Sequence, residues 1–262
     1  MLLRRRTVSE DNGGSPDILA LAPSVAHDLP ELGVMLPYTP LQHLLLAAAE
    51  ACGMYALVMT SGNLSEEPIE TDDDLAWEHL VAAGIADALL GNDRAILSRY
   101  DDSVVRVVDG EVMPVRRARG YAPQPLPLPA LDGAPSCVLA CGPQQKATIA
   151  LTREDANSEA TCFVSQHIGD VENGETFDAW NAARTRLEDL FDLAPAALAC
   201  DVHPSYLSGQ WAREQARKCN LPLVEVQHHH AHIASVMAEA IAAGQLTTDA
   251  RVLGTVSYTH LR

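Results

Sequence analysis

Hydrophobic and polar positions divide the chain into two regions of strand and helix patterns, separated by a proline-rich stretch. In the second region, short apolar runs predict strands at residues 137–142, 146–151, 160–164, 197–200 and 223–227. Periodic apolar positions predict helices at about 176–191 and 206–218, and another helix from residue 228 onward. Strands that alternate with helices indicate an α/β domain whose later strands are parallel.

In the first region, the clearest signal is the start of a helix. Thr39 is a good N-cap and Pro40 is favoured at the first helical position. This helix continues to about Cys52 and is apolar on nearly all sides, which predicts that it is buried. The other predicted elements are strands at 33–38 and 55–59, a helix around 74–83, and a hairpin over 104–116 that turns at Asp109-Gly110.

The proline-rich stretch, residues 122–136, contains prolines at positions 123, 125, 127, 129 and 135. Alternating prolines predict an extended segment that is neither a helix nor a central strand, and we place a domain boundary there. Residues 1–16 are polar and glycine-containing, so we expect a disordered or frayed start.

Composition is typical of a globular protein, with 47% hydrophobic and 20% charged residues in 262. The net charge of −17 argues against a general nucleic-acid binder, because such affinity depends on Lys and Arg. The sequence has no apolar run long enough for a membrane span, no signal-peptide pattern and no CxxC pair among its 6 cysteines. These features favour a protein of the reducing cytoplasm with no membrane partner.

Four histidines lie within five positions at the start of the last predicted helix. His228 and His232 are four residues apart, so they share one face of the helix and form half of a metal site. His229 and His230 point elsewhere. The alternative is a polar helix start that is merely rich in histidine.

Polar residues recur where the predicted strands of the second region end. His167 and Asp170 follow the third strand, Asp201 and His203 follow the fourth, and Lys146 lies in the turn between the first two. Ligand sites of α/β sheets form at the carboxyl ends of strands, so we expect these residues to converge at one edge.

Two further patterns in the first region suit anions. The loop Thr60–Ser65 offers hydroxyls, an amide and a glycine after an apolar run, and Arg116, Arg117 and Arg119 are basic residues on an acidic chain. An ordinary Ser/Gly turn and a solvated charge run are the alternatives.

Seven stretches, in this order, resemble HypF-type carbamoyltransferases, the maturation factors of [NiFe] hydrogenases. They are Gly33–Leu41, Val58–Ser65, Arg99–Ser103, Arg116–Pro123, Ser165–Asp170, Asp201–Pro204 and Val226–His232. The resemblance implies an α/β fold: a truncated YrdC/Sua5-like domain over residues 17–121, the linker 122–136, and the N-terminal part of a Kae1-like, actin/Hsp70-type domain over 137–254.

The resemblance also implies the chemistry. The YrdC-like part would bind ATP with Mg²⁺ and make carbamoyl-adenylate from carbamoyl phosphate, through Thr60, Ser61, Asn63, Ser103, Arg116, Arg117 and Arg119. The Kae1-like part would pass the carbamoyl group to the C-terminal cysteine of HypE. Its site candidates are Lys146, His167, Asp170, Asp201 and His203, with a divalent Fe or Zn on His228 and His232.

This chain departs from the HypF family pattern at both ends. HypF proteins begin with acylphosphatase and zinc-binding regions that have no counterpart here, and residues 255–262 match nothing in the family, which indicates a non-native tail. A fragment of this kind is expected to be inactive alone. The alternatives are a threonylcarbamoyl transferase acting on tRNA, a metal-dependent hydrolase, and a non-catalytic nucleotide-binding or partner-binding chain.

Overall fold

A computed structural model describes residues 1–5, 21–22, 24–65, 67–129, 133–154 and 160–255. These residues form two compact units. The first unit consists of Met1–Thr60 with Asp102–Arg117, and the second consists of Ser61–Asp101 with Ala118–Arg262. The predicted tail, apart from Thr255, and most of the predicted frayed start lie outside the described residues.

The first unit contains two small antiparallel sheets and one helix. Its elements are β1 (Leu2–Arg4), β2 (Glu31–Gly33), α1 (Pro40–Ala51), β3 (Val104–Val108) and β4 (Glu111–Arg116). β1 pairs with β2, and β3 pairs with β4 in the hairpin that the Asp109-Gly110 turn predicts. Arg106 of β3 forms a 2.5 Å ion pair with Glu31 of β2, which ties the two sheets together.

Helix α1 begins where the sequence predicts, but its environment differs from the prediction. The Thr39 hydroxyl accepts the backbone N–H of Gln42 at 3.2 Å, and the Gln42 side chain accepts the N–H of Thr39 at 3.1 Å, which completes a capping box. The prediction of burial is wrong, since Ala49 is its buried residue and Leu44 is 70% exposed. The few other elements described in this unit offer too little surface to cover an apolar helix.

Three strand predictions in this unit also change. The strand expected at 33–38 ends at Gly33, and the one expected at 55–59 does not form. Leu2–Arg4, expected to be frayed, is a strand because it pairs with Glu31–Gly33. An apolar run becomes a strand only when another strand offers it a ladder of hydrogen bonds, and Tyr55–Met59 finds none among the described residues.

The second unit is built on a six-stranded mixed sheet with the order β10-β9-β6-β7-β8-β5. Its strands are β5 (Pro125–Leu128), β6 (Val138–Ala140), β7 (Ala150–Glu154), β8 (Ala160–Val164), β9 (Ala197–Asp201) and β10 (Leu223–Val226). Its helices are α2 (Asp73–Ala76), which continues as a π-helical segment Trp77–Ala82, then α3 (Gly174–Phe191), α4 (Leu207–Cys219) and α5 (His228–Ala242). None of the helices in the described part of the chain could cross a lipid bilayer.

Strand directions place four strand ends at one edge of this sheet. β6, β9 and β10 are parallel neighbours, whereas β7 is antiparallel to both β6 and β8. β8 therefore runs in the same direction as β6. The carboxyl ends of β6, β8, β9 and β10 share one edge, where the predicted site residues follow the strands.

The proline-rich stretch forms the outermost strand of the sheet. β5 lies within it and pairs antiparallel with β8, with Leu126 opposite Cys162. Proline lacks an N–H donor, so an edge strand, which needs partners on one side alone, accommodates it. The two compact units do not divide at this stretch, and the domain boundaries given above stay predictions.

The core of the second unit lies between the sheet and helices α3 and α4. Trp180 is fully buried, donates its indole N–H to the Cys141 carbonyl at 3.1 Å, and meets Trp211 edge-on at 5.1 Å between ring centroids. Leu139, Leu151 and Leu198 supply the buried sheet face. All six cysteines are thiols and not disulfides, and four of them are buried.

Replacement of a core leucine tests where the stability of the second unit lies. Leu139→Ala removes a side chain with no solvent exposure, so we expect the free energy of unfolding to fall by about 2–5 kcal/mol. The matched control is Leu190→Ala, at a position that is 60% exposed, which should change it by less than about 0.5 kcal/mol. Urea titrations that gave both variants equal stability would contradict this placement of the core.

A second test concerns the π-helical segment. His79 Nδ1 lies 2.6 Å from Glu70 Oε1, and this hydrogen bond raises the pKa of His79 above its ordinary value of 6.5. The pair therefore adds stability that is fully present below pH 6.5 and is lost as the pH rises through the raised pKa. NMR titration should show the pKa of His79 falling in Glu70→Gln but not in Glu239→Gln, and an unchanged value in Glu70→Gln would contradict the pairing.

Candidate functional site

The candidate site starts from the register between β9 and β10. Asp201 is the last residue of β9 and pairs with Val226, the last residue of β10. Helix α5 begins two residues later at His228. A short strand that turns directly into a helix therefore brings His228 beside Asp201, and His228 Nδ1 lies 3.3 Å from Asp201 Oδ2.

His228 and His232 present one nitrogen each to the same space. They are one turn apart on α5, with His228 Nε2 and His232 Nε2 separated by 3.1 Å and the rings inclined at 79°. In the neutral pair, one of these nitrogens carries a hydrogen and the other accepts it. A metal ion can take the place of that single proton, since neutral imidazole is a common ligand of Zn and Fe.

Asp201 is itself held from two sides. Its Oδ1 accepts the backbone N–H of His203 at 2.8 Å, and its backbone carbonyl accepts from Arg213 Nη2 at 3.0 Å. The His203 ring stacks on Tyr206 at 4.2 Å between centroids. Burial, with the charge of Asp201 as a smaller cause, raises the pKa of Tyr206, so this ring stays neutral. The Asp201 side chain is 9% exposed and directs its second oxygen to His228.

A cavity of about 510 Å³ adjoins the two histidines. Its walls include Gly142, Thr148, Cys200, Asp201, His228 and His232. Gly142 has a φ of +72°, and a Cβ there would lie 2.1 Å from the Thr148 carbonyl oxygen, so the turn beside the cavity requires glycine. Burial raises the pKa of the Cys200 thiol, which makes this wall neutral. The cavity thus combines small, uncharged walls with one carboxylate and two imidazoles.

The other residues predicted for this region make their contacts elsewhere. Asp170 Oδ1 accepts the backbone N–H of Lys146 at 2.6 Å, and His167 Nδ1 lies 2.7 Å from Asp101 Oδ2. These residues follow β8, which ends at the same sheet edge as β9 but three strand positions away, about 14 Å at the usual strand spacing. The predicted convergence is therefore seen for the side chains of Asp201, His228 and His232. His203 joins them through its backbone N–H alone, and the His167 and Asp170 loop lies apart.

The residues predicted to contact nucleotide belong to both units. Thr60, Ser103, Arg116 and Arg117 are in the first unit, and Ser61, Asn63 and Arg119 are in the second. Asn63 donates its amide to the carbonyls of Leu64 and Glu67 at 2.8 and 3.0 Å, whereas its buried Oδ1 has no hydrogen-bond partner among the described residues. A buried acceptor in this state is suited to a ligand that brings a donor.

Sequence reasoning did not single out a third group, formed by Glu67, Glu70 and His79. One ligand atom from each lies within 4.8 Å of the others. Glu70 and His79 are separated by a loop and a helix start, and their spacing matches no metal motif. The 2.6 Å contact between them is that of a hydrogen bond in which the imidazole carries the proton, and a metal ion would have to displace it.

Two family models together match most of the chain. The model of the HypF Kae1-like domain matches residues 133–239, and the Sua5/YciO/YrdC model, described as telomere recombination, matches residues 15–118. Carbamoyltransferase HypF2 of Cupriavidus necator is 47% identical over 229 residues, which cover 82% of this chain and 27% of that protein. Carbamoyltransferase HypF of Synechocystis sp. is 42% identical over 221 residues, with 84% and 27% covered.

Solved structures agree with these matches. A crystal structure of full-length HypF in its phosphate- and nucleotide-bound form has a TM-score of 0.75 and 41% identity, and the match covers 92% of this chain and 34% of that chain. HypF of T. kodakarensis gives a TM-score of 0.75 at 31% identity, with 92% and 28% covered. The chain spans about a quarter of the length of the curated relatives it matches. With its YrdC-like and Kae1-like parts, the chain belongs to the HypF family of carbamoyltransferases.

Proposed function

We propose that the protein carrying this chain transfers a carbamoyl group in an ATP-dependent reaction during [NiFe] hydrogenase maturation, for the cyanide ligands of the enzyme. The observation that carries the proposal is the pairing of His228 and His232 beside Asp201, within the part matched by the HypF Kae1-like domain. The relatives that match across both parts are named carbamoyltransferases.

The donor of the carbamoyl group in this proposal is carbamoyl phosphate, activated as carbamoyl-adenylate by the YrdC-like part. Guanidinium groups such as those of Arg116, Arg117 and Arg119 suit phosphate oxygens, because their paired donors match two oxygens at once. The buried Oδ1 of Asn63, which finds no partner in the described part of the chain, supports a ligand with hydrogen-bond donors, such as an adenosine amine or a ribose hydroxyl. Mg²⁺ would accompany the ATP phosphates.

The acceptor is the C-terminal cysteine of the partner HypE. The Kae1-like site would receive the carbamoyl group in the cavity beside Asp201, where neutral walls favour a small uncharged group. His228 and His232 would hold a divalent Fe or Zn ion through Nε2, and the donor set of two imidazoles fits both metals. Such an ion, when bound, supplies Lewis-acid polarisation of a carbonyl oxygen.

The negative net charge of the chain argues against the alternative function, threonylcarbamoyl transfer to tRNA. A net charge of −17 opposes the phosphate backbone of a tRNA, whereas it does not hinder the binding of a small donor such as carbamoyl phosphate. The second half also matches the Kae1-like domain of HypF specifically. Both points favour a protein acceptor.

A single substitution separates the two proposed steps. In the full-length protein, His228→Ala removes one metal ligand, so we expect carbamoyl transfer to HypE to fall by about 100-fold or more. ATP–pyrophosphate exchange that depends on carbamoyl phosphate should remain near the wild-type rate. His230→Ala, on the same helix, is the matched control and should keep both activities.

Loss of the exchange reaction in a folded His228→Ala variant would contradict the division of labour between the two parts. Full transfer activity in that variant would remove the metal pair from the mechanism.

A further inference from the structure

We propose that Asp201 is the positioning residue that fixes the ring of His228 for metal binding, by accepting the Nδ1 hydrogen and leaving Nε2 free as the ligand. This inference deepens the proposed function and rests on it, because it assumes that His228 and His232 hold the metal.

The two ring nitrogens of His228 have different neighbours. Nε2 faces Nε2 of His232 at 3.1 Å, and Nδ1 faces Asp201 Oδ2 at 3.3 Å. A neutral imidazole carries its hydrogen on one nitrogen alone. A carboxylate beside Nδ1 favours the hydrogen there, which leaves the Nε2 lone pair directed towards His232.

Asp201 lies beside Nδ1 of His228, the nitrogen that points away from His232, and not beside the space between the two histidines. Its Oδ1 is already engaged by the N–H of His203 at 2.8 Å, so Oδ2 is the oxygen that turns to His228. The strand register fixes the backbone at this point, and Arg213 holds the Asp201 carbonyl at 3.0 Å. The carboxylate therefore has little freedom to rotate away from Nδ1.

The two side chains of this contact differ in exposure. Asp201 is 9% exposed and His228 is 56% exposed, so the carboxylate is held by its surroundings while the ring stays accessible to a metal ion. A separation of 3.3 Å is longer than an ordinary hydrogen bond, and contacts of this kind shorten when the ligand that they orient is bound. Removal of a carboxylate that is hydrogen-bonded to a metal-binding histidine commonly weakens metal affinity by about 10–100-fold.

The test is a titration of the 262-residue chain with Co²⁺, followed by calorimetry and by the visible absorption of the bound ion. We expect Asp201→Ala to weaken Co²⁺ binding by about 10–100-fold. Asp201→Asn should also weaken binding, because its single amide oxygen accepts the His203 N–H and leaves the NH2 group, a donor, beside Nδ1. Asp178→Ala, at an exposed position on α3, is the matched control and should bind like the wild type. Circular dichroism establishes that each variant is folded.

A second readout separates positioning from a general structural role. ¹⁵N NMR of the metal-free chain at pH 8 should show His228 with its hydrogen on Nδ1 in the wild type. In Asp201→Ala and in Asp201→Asn the hydrogen should shift towards Nε2, because the acceptor at Nδ1 is gone.

The outcomes distinguish this inference from the proposed function. If Co²⁺ binding is absent in the wild type, or survives in His228→Ala, the metal site itself is wrong. If His228→Ala loses binding while Asp201→Ala keeps both its affinity and its tautomer, the metal site stands and the role of Asp201 is overturned. Equal losses in Asp201→Ala and Asp201→Asn with an unchanged tautomer would mark Asp201 as a direct ligand, which also overturns the inference.

Discussion

The parallel pairing of β9 with β10 is the constraint on which the candidate site depends. It sets Asp201 opposite Val226, so that the residue that begins α5 meets a carboxylate held at the end of the neighbouring strand. A shift of this register by one residue would turn the Asp201 side chain to the other face of the sheet. β6 supports the same arrangement, because it pairs with β9 on the other side and its end carries the Gly142 turn beside the cavity.

Charge is distributed unevenly between the surface and the site. The chain as a whole is acidic, with a net charge of −17, yet the cavity wall contains a buried thiol whose pKa is raised and small uncharged groups. The Asp201 side chain is 9% exposed, whereas the His228 side chain beside it is 56% exposed. A neutral carbamoyl group and a divalent cation are both compatible with this environment, and one buried carboxylate offsets part of the cation's charge.

Helix caps and turns, which depend on neighbouring residues, were predicted correctly from the sequence. Strand pairing and burial, which depend on residues distant in the chain, were not. The N-cap at Thr39, the Asp109-Gly110 turn and the strand-to-helix step before His228 were all predicted from neighbouring residues. The strand expected at Tyr55–Met59 and the burial of α1 failed, because each needs a partner surface that the described residues do not supply. Within the site, helical spacing predicted that His228 and His232 share a face, whereas the contact with Asp201 required the strand register. The separation of His167 from that group depended on the strand order, which places β6 and β7 between β9 and β8 and which the sequence did not reveal.

The central claim is that His228 and His232 hold a metal ion while Asp201 faces the outer nitrogen of His228. Anomalous X-ray diffraction from crystals of the chain grown with Co²⁺ tests it directly. The account predicts an anomalous peak about 2.0–2.3 Å from Nε2 of both histidines, with Asp201 Oδ2 still beside His228 Nδ1. A peak at Glu67, Glu70 and His79, with none at the histidine pair, would contradict it.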